Sequence, residues 1–258
     1  MSRDPGDPME AEFDTVAKWT AQVAVDLGPQ YYIPAACRGS GQPAALDWLL
    51  RSLRPAPGEL LLDIGAGVGG PAAYAAAGTG VRPVLAEPEP DACRAAARLF
   101  GFPVVQADAT ALPFAAGAAR LAWCLGVLCT MSGPDAQLAL LRELRRVVRA
   151  GGRIGLLVFL AVTGTLDDPP RGNHFPTSAG LHALVRRADL DITAVAGSED
   201  MPAPPAAWHD RTAAAERELR RRFGSTPQLT AATEQSHRIG QLLSSGQLIS
   251  QVLLLERK

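Results

Sequence analysis

No stretch of this sequence approaches the ~20 consecutive apolar residues that a membrane-spanning helix needs, so no membrane association is expected. Charge of neither sign dominates: 25 Lys and Arg stand against 26 Asp and Glu, for a formal net charge of −1. That balance offers no basic stripe, and nucleic acid is not an expected partner. Cysteine is scarce. Its four residues, Cys37, Cys93, Cys124 and Cys129, include no C-x-x-C pair. This argues against a metal site and for buried or half-buried thiols in a reducing cytosol. Residues 1–8 are polar and partly acidic; they do not read as a signal peptide, and a cytoplasmic location is expected. The 258 residues suffice for one good core, so a single α/β unit with an added lid is expected over two independent domains.

What the chain does have is concentrated in Leu60-Leu61-Leu62-Asp63-Ile64-Gly65-Ala66-Gly67-Val68-Gly69-Gly70. A short apolar run enters a glycine-rich turn, and an alanine-rich stretch follows. The order is strand, tight turn, helix. An open α/β sheet uses it to present backbone N–H groups and a helix N-terminus to a nucleotide-like ligand. Gly65, Gly67 and Gly69 let the backbone bend and approach that ligand closely. Asp63 would repel a pyrophosphate, but it suits a ligand that carries an ammonium group; the bland reading is that it caps the turn. The turn also satisfies the dinucleotide pattern G-x-G-x-x-G, which is weak without context.

Two further strands supply context. Val84-Leu85-Ala86-Glu87 ends in a carboxylate able to accept two ribose hydroxyls, and Pro103-Val104-Val105-Gln106-Ala107-Asp108 ends in one able to accept an exocyclic adenine amine. Three acids at three strand ends lie along the carboxyl edge of the sheet, where such folds bind ligands.

On these residues the chain resembles the class I S-adenosylmethionine-dependent methyltransferases, in their small-molecule branch. Asp108-Ala109 with Leu112-Pro113-Phe114 matches that family after strand three, and 141–153, ending in Ala150-Gly151-Gly152-Arg153, matches the helix and turn into its strand five. The resemblance covers roughly 57–195 and, more loosely, the last strand. It implies a Rossmann-like, mostly parallel seven-stranded α/β sheet, with an antiparallel last strand inserted beside strand six. It implies S-adenosylmethionine as cofactor and S-adenosylhomocysteine as product. The expected cofactor contacts are Asp63, Gly65, Ala66, Gly67, Gly69, Glu87, Pro88, Asp108 and Ala109, carbonyls of Leu125 or Gly126, and Arg38 paired with the cofactor's carboxylate.

Periodicity predicts helices at 89–100, 134–149, 178–188, 206–223 and 229–244, and strands at 121–125, 154–160, 191–196 and 248–256. Residues 1–54 read as an N-terminal helical cap, with Phe13, Val16, Trp19 and Val23 on one helix face and a loop at 31–41. Residues 55–198 and 247–258 read as the core. The connection 199–246 is long for a compact domain and reads as a helical lid over the acceptor. The motif Asp168-Pro169-Pro170-Arg171 has Arg where amino-methylating nucleic-acid enzymes have an aromatic, and it reads as a proline turn.

A sulfonium methyl is already electrophilic, so catalysis is largely alignment of the acceptor. A small-molecule acceptor, such as a secondary metabolite, is expected as partner of a monomer or homodimer. Oxygen is the favoured acceptor atom, before nitrogen or carbon. His174, in the loop after strand five, is the first candidate base and His237 the second, with Tyr32 available to contact acceptor or cofactor; His209 and His182 read as surface residues. The alternatives are a nicotinamide-dependent oxidoreductase, against which Asp63 and Asp108 argue, and a non-catalytic cofactor-binding scaffold.

Overall fold

The computed structural model describes residues 8–37 and 41–258. The strands are β1 (Leu60–Ile64), β2 (Arg82–Glu87), β3 (Val104–Gln106), β4 (Ala119–Leu125), β5 (Val148–Ala161), β6 (Leu190–Gly197) and β7 (Leu248–Arg257). They form one sheet in the order β3-β2-β1-β4-β5-β7-β6. The first five are parallel, and β7 runs antiparallel between β5 and β6. The Rossmann-like sheet with its antiparallel last strand is thus present.

Helices cover both faces because the central strands are apolar on both sides. Leu62 and Ile64 point into one core, shared with α6 (Pro134–Val147) and α7 (Ser178–Arg187). Leu61, Trp123 and Leu125 point into the other, shared with α3 (Pro43–Leu53). Helix α4 (Gly70–Thr79) follows the glycine turn, and α5 (Pro90–Phe100) follows β2. Over this end lie α1 (Pro8–Leu27), α2 (Tyr32–Ala36), α8 (Ala206–Phe223) and α9 (Pro227–Ser244).

Three links set these outer helices. Asp14 of α1 caps α5 from a distance, its Oδ1 accepting the N–H groups of Asp91 (2.6 Å) and Ala92 (3.1 Å). Trp19 of α1 stacks on Phe223 of α8 with centroids 4.4 Å apart and planes 2° from parallel. Arg222 of α8 joins Glu218 on its own helix to Asp26 of α1.

Three expectations are corrected. The segment 31–41 is not simply a loop, because Tyr32–Ala36 form α2. Gly70 explains its seat: a Cβ there would stand 2.4 Å from the Ala36 carbonyl carbon, so only glycine lets the two backbones touch. Strand β5 starts at Val148 rather than near Ile154, because Val148 pairs with Ala119 before the register shifts and Arg153 pairs with Leu121. Phe13 does not face inward; it is 47 % exposed.

The loop from β3 to β4 is held from α6. Glu143 Oε1 accepts the Leu112 N–H at 2.8 Å, and the Arg146 guanidinium donates to the carbonyls of Phe114 (2.7 Å) and Leu112 (2.9 Å). Arg146 also holds the Glu143 carboxyl below the usual carboxylate range. A lowered folded-state value means that the stabilisation is complete above the unfolded value of 4.5 and is lost as pH falls through the folded one. We therefore expect Arg146→Met to cost about 1–3 kcal/mol in urea unfolding at neutral pH. It should also flatten the loss of stability on acidification below the unfolded value, as read from melting curves across pH.

Candidate active site

The glycine turn closes over the carboxyl ends of β1 and β2. The N–H groups of Gly65 and Ala66 both donate to the Ala86 carbonyl, at 2.8 and 3.2 Å, and Gly69 donates to Ala66 at 2.9 Å. Gly65 has φ +70°, and a Cβ on it would fall 2.3 Å from Val127 Cγ2. This residue brings the turn against the loop after β4, and no other side chain fits there. The Phe13 ring reaches the opposite side of the turn, 3.5 Å from where a Cβ of Gly67 would be.

Asp63 and Glu87, at the ends of neighbouring parallel strands, are both buried. Glu87 is well served: Oε2 accepts the Gly67 N–H at 2.7 Å and Oε1 accepts the Glu89 N–H at 3.2 Å. Asp63 is not. Its Oδ2 has no hydrogen-bond partner among the described residues. Burial pushes its carboxyl up to about 7; the Trp123 indole N–H pulls the other way, and the Glu87 charge adds to the rise. The Trp123 Nε1 itself lacks a partner within hydrogen-bond geometry, so its pull acts without a well-formed bond. Asp63 therefore does not simply cap the turn. Asp108 follows β3 and accepts from Thr110 N and Oγ1 at 2.7 and 2.8 Å. Ala109 is buried beside it, and the Pro88 carbonyl accepts from Gln106 at 3.0 Å. Leu125 and Gly126 end β4, the Gly126 N–H donating to Leu157 at 2.9 Å. The expected cofactor residues thus share one edge, except Arg38, which lies outside the described residues.

A cavity of about 840 Å³ lies beside this edge, under α8 and α9. Cys37 joins the two: it lines the cavity, and the Asp63 charge, after burial, pushes its thiol up. The proposed bases are elsewhere. His174 is exposed and holds its loop through its backbone, its N–H donating to Cys129 at 2.7 Å and its carbonyl accepting from Gln137 at 2.8 Å. His237 is exposed on α9, and Tyr32 packs edge-on against Phe100 at 6.4 Å. None of the three lines the cavity; His209 does, at its rim, and it is exposed as the sequence reading has it. Its signal was the neighbouring Trp208, which packs edge-on against Tyr74 at 6.0 Å and turns the start of α8 inward.

Residues 62–156, from β1 into β5, match the family model of a methyltransferase domain. That segment is thus a methyltransferase domain, as the resemblance to the class I S-adenosylmethionine-dependent enzymes implies. The methyltransferase has no significant match among curated protein sequences. Solved structures resemble it in fold. The cyclopropane synthase MmaA2 from Mycobacterium tuberculosis is 15 % identical, with TM-score 0.66 over 92 % of this chain and 96 % of that one. Geranyl diphosphate C-methyltransferase from Streptomyces coelicolor A3(2) is 16 % identical, with TM-score 0.59 over 83 % and 76 %. The 4+2 cyclase SpnF is 20 % identical, with TM-score 0.64 over 82 % and 79 %. The methyltransferase uses S-adenosylmethionine as its cofactor, which sets aside the nicotinamide alternative.

The orphaned Asp63 oxygen fits the cofactor's ammonium, and that pairing carries a sign. A folded-state value of about 7, raised from 3.8, means the apo protein loses stability as pH rises between those values. A cation placed on Asp63 lowers it again. Cofactor-product binding near pH 6.5 should therefore release protons, seen as a dependence of calorimetric heat on buffer ionisation. Asp63→Asn should abolish that release, weaken binding and raise the apo melting temperature at pH 8. Proton release that survives in Asp63→Asn would assign it to another group.

Proposed function

We propose that this methyltransferase methylates a small-molecule acceptor held in the cavity beneath α8 and α9. The observation that carries the reading is the adjacency of that cavity to the carboxyl edge: Cys37 lines the cavity, and its backbone N lies 2.5 Å from where a Cβ of Gly70 would stand at the end of the glycine turn. In this reading Asp63 takes the ammonium of the cofactor, Glu87 its ribose hydroxyls and Asp108 its adenine amine. Gly65, Ala66, Gly67 and Gly69 form the floor, Leu125 and Gly126 offer carbonyls, and Pro88 and Ala109 pack around the nucleoside. The bound cofactor supplies an electrophilic methyl. The protein's part is to align the acceptor, exclude water and receive a proton where one is lost.

Residues 199–246 act as the lid and 1–54 as the cap that braces it. Their pinning supports this, since the Trp19–Phe223 stack and the Arg222 bridges fix α8 to α1 at one end. The structural relatives named above include a C-methyltransferase, a cyclopropane synthase and a cyclase, so the acceptor atom is argued from this chain alone. Oxygen remains the first choice, with His209 in place of His174 and His237 as the group that takes the hydroxyl proton, because it is the histidine lining the cavity. Carbon is the second reading: Phe159 and Trp208 also line it and offer π-faces to a developing cation.

Mass-spectrometric turnover on a metabolite extract identifies the acceptor. On it, His209→Gln should slow methyl transfer by roughly 10²–10⁴-fold with cofactor-product affinity retained, while His174→Gln changes the rate little. A loss below about tenfold in His209→Gln would favour alignment alone and a carbon acceptor.

A further inference from the structure

The acceptor cavity carries its charged and amide side chains, Gln42 among them, at an exposed rim, and most of its hydroxyl residues are polar by type but not in effect. Six hydroxyl residues face it: Thr20, Ser198, Thr212, Thr233, Ser236 and Ser250. Four of them turn their hydrogen onto their own helix, four residues back. Thr20 donates to Val16 (2.8 Å), Thr212 to Trp208 (3.0 Å), Thr233 to Leu229 (2.7 Å) and Ser236 to Ala232 (2.9 Å). The fifth, Ser198, donates to the Ser250 hydroxyl at 3.0 Å. A hydroxyl satisfied by its own backbone leaves mainly carbon facing outward. Only Ser250 among the six retains a hydrogen not placed in one of these bonds.

Charge is confined to the rim. Glu199, His209, Glu216 and Arg220 line the cavity but are all exposed, on α8 or the turn before it. Thr20 is the one polar residue that is both buried and lining, among the described residues. The deep walls come from Leu157, Leu248, Leu219 and Leu229, with Phe159 and Trp208 beside them. The volume of about 840 Å³ is toward the upper end of small-molecule pockets, which run from roughly 300 to 1,000 Å³.

We infer that the acceptor is a large, predominantly apolar molecule with few hydrogen-bonding groups, of the size of an isoprenoid, a long-chain alcohol or a fused-ring compound. This rests on the proposed role of the cavity as the acceptor site. A small zwitterion or a phosphorylated amine seated in the deep part would leave its charges against leucine, away from the rim side chains, and burial without partners is costly for such groups. An apolar body carrying one oxygen function matches the single spare hydroxyl hydrogen.

The test uses the full chain saturated with S-adenosylhomocysteine and the neutral fluorophore N-phenyl-1-naphthylamine. The expected result is blue-shifted, enhanced emission that farnesol and dodecan-1-ol reverse and that sarcosine and phosphoethanolamine do not. Phe159→Asp, which puts a charge in the wall, should weaken probe uptake about tenfold or more. Ala44→Trp, on the half-buried first turn of α3, tests the same point by filling space if Phe159→Asp fails to fold. Cofactor-product affinity, measured in parallel, should hold in both. Absence of enhanced emission, or equal displacement by the two polar amines, overturns the proposal. Methyl transfer confined to polar acceptors overturns it as well and leaves the methyltransferase reading intact. Probe uptake with no transfer to any acceptor, polar or apolar, counts against that reading while the apolar character of the cavity stands.

Discussion

A carboxylate with no cation beside it among the described residues, buried at the end of the first strand, sets the terms for the cofactor edge. Asp63 and Glu87 sit on adjacent parallel strands, and the Glu87 charge adds to the cost of ionising Asp63. The fold deals with the two differently. Glu87 receives backbone N–H groups from the turn and from the start of α5, so its charge is satisfied internally. Asp63 keeps an oxygen without a partner. An unsatisfied buried acceptor is tolerated only where the surrounding packing over-determines it, and such sites cluster where ligands bind.

That packing is visible on every side of Asp63. Beneath it lie strand residues that are almost fully buried, Leu61, Leu62 and Trp123. Above it the turn is locked by contacts that depend on missing side chains: Gly65 against Val127 and Gly70 against Ala36. On the far edge the Glu143–Arg146 pair fixes the loop that carries Asp108 through main-chain atoms of Leu112 and Phe114. The three acids are therefore held by elements that have little freedom to move relative to one another, which suits a reaction that depends mainly on alignment.

The cofactor half of the molecule was legible because its information is local. A strand, an acid, a glycine turn and a helix follow one another in sequence, and the pairing of β1 with β2 and β4 puts the other acids where the spacing says. The sheet class and its antiparallel last strand followed from the same pattern and from family resemblance. The acceptor half was less legible because it is made by long-range packing. Nothing local marks that Trp208 would lean on Tyr74 and bring His209 to the cavity, or that His174 would spend its backbone on Cys129 and Gln137 and leave its ring exposed. Helix α2 was missed for a related reason: its seat is a glycine in a distant segment.

Thr233, exposed at the cavity's rim, shows that residue type alone does not say what a side chain offers a ligand. On the sequence it belongs to the polar side of its helix, together with His237 and Gln241, and that side reads as solvated or as a hydrogen-bonding wall. In the folded protein its hydroxyl closes on the Leu229 carbonyl while the residue lines the cavity. The same i−4 bond is made by Thr20, Thr212 and Ser236 on α1, α8 and α9. Each of these helices meets the cavity with side chains short enough to reach their own backbone four residues back, where a Gln or Lys would present its polar end to the ligand. A short hydroxyl keeps a helix surface compatible with solvent while the chain is unfolded, and presents mainly carbon once its hydrogen is on the backbone. The character of the proposed acceptor cavity is thus set less by which hydroxyl residues surround it than by where their hydrogens have already gone.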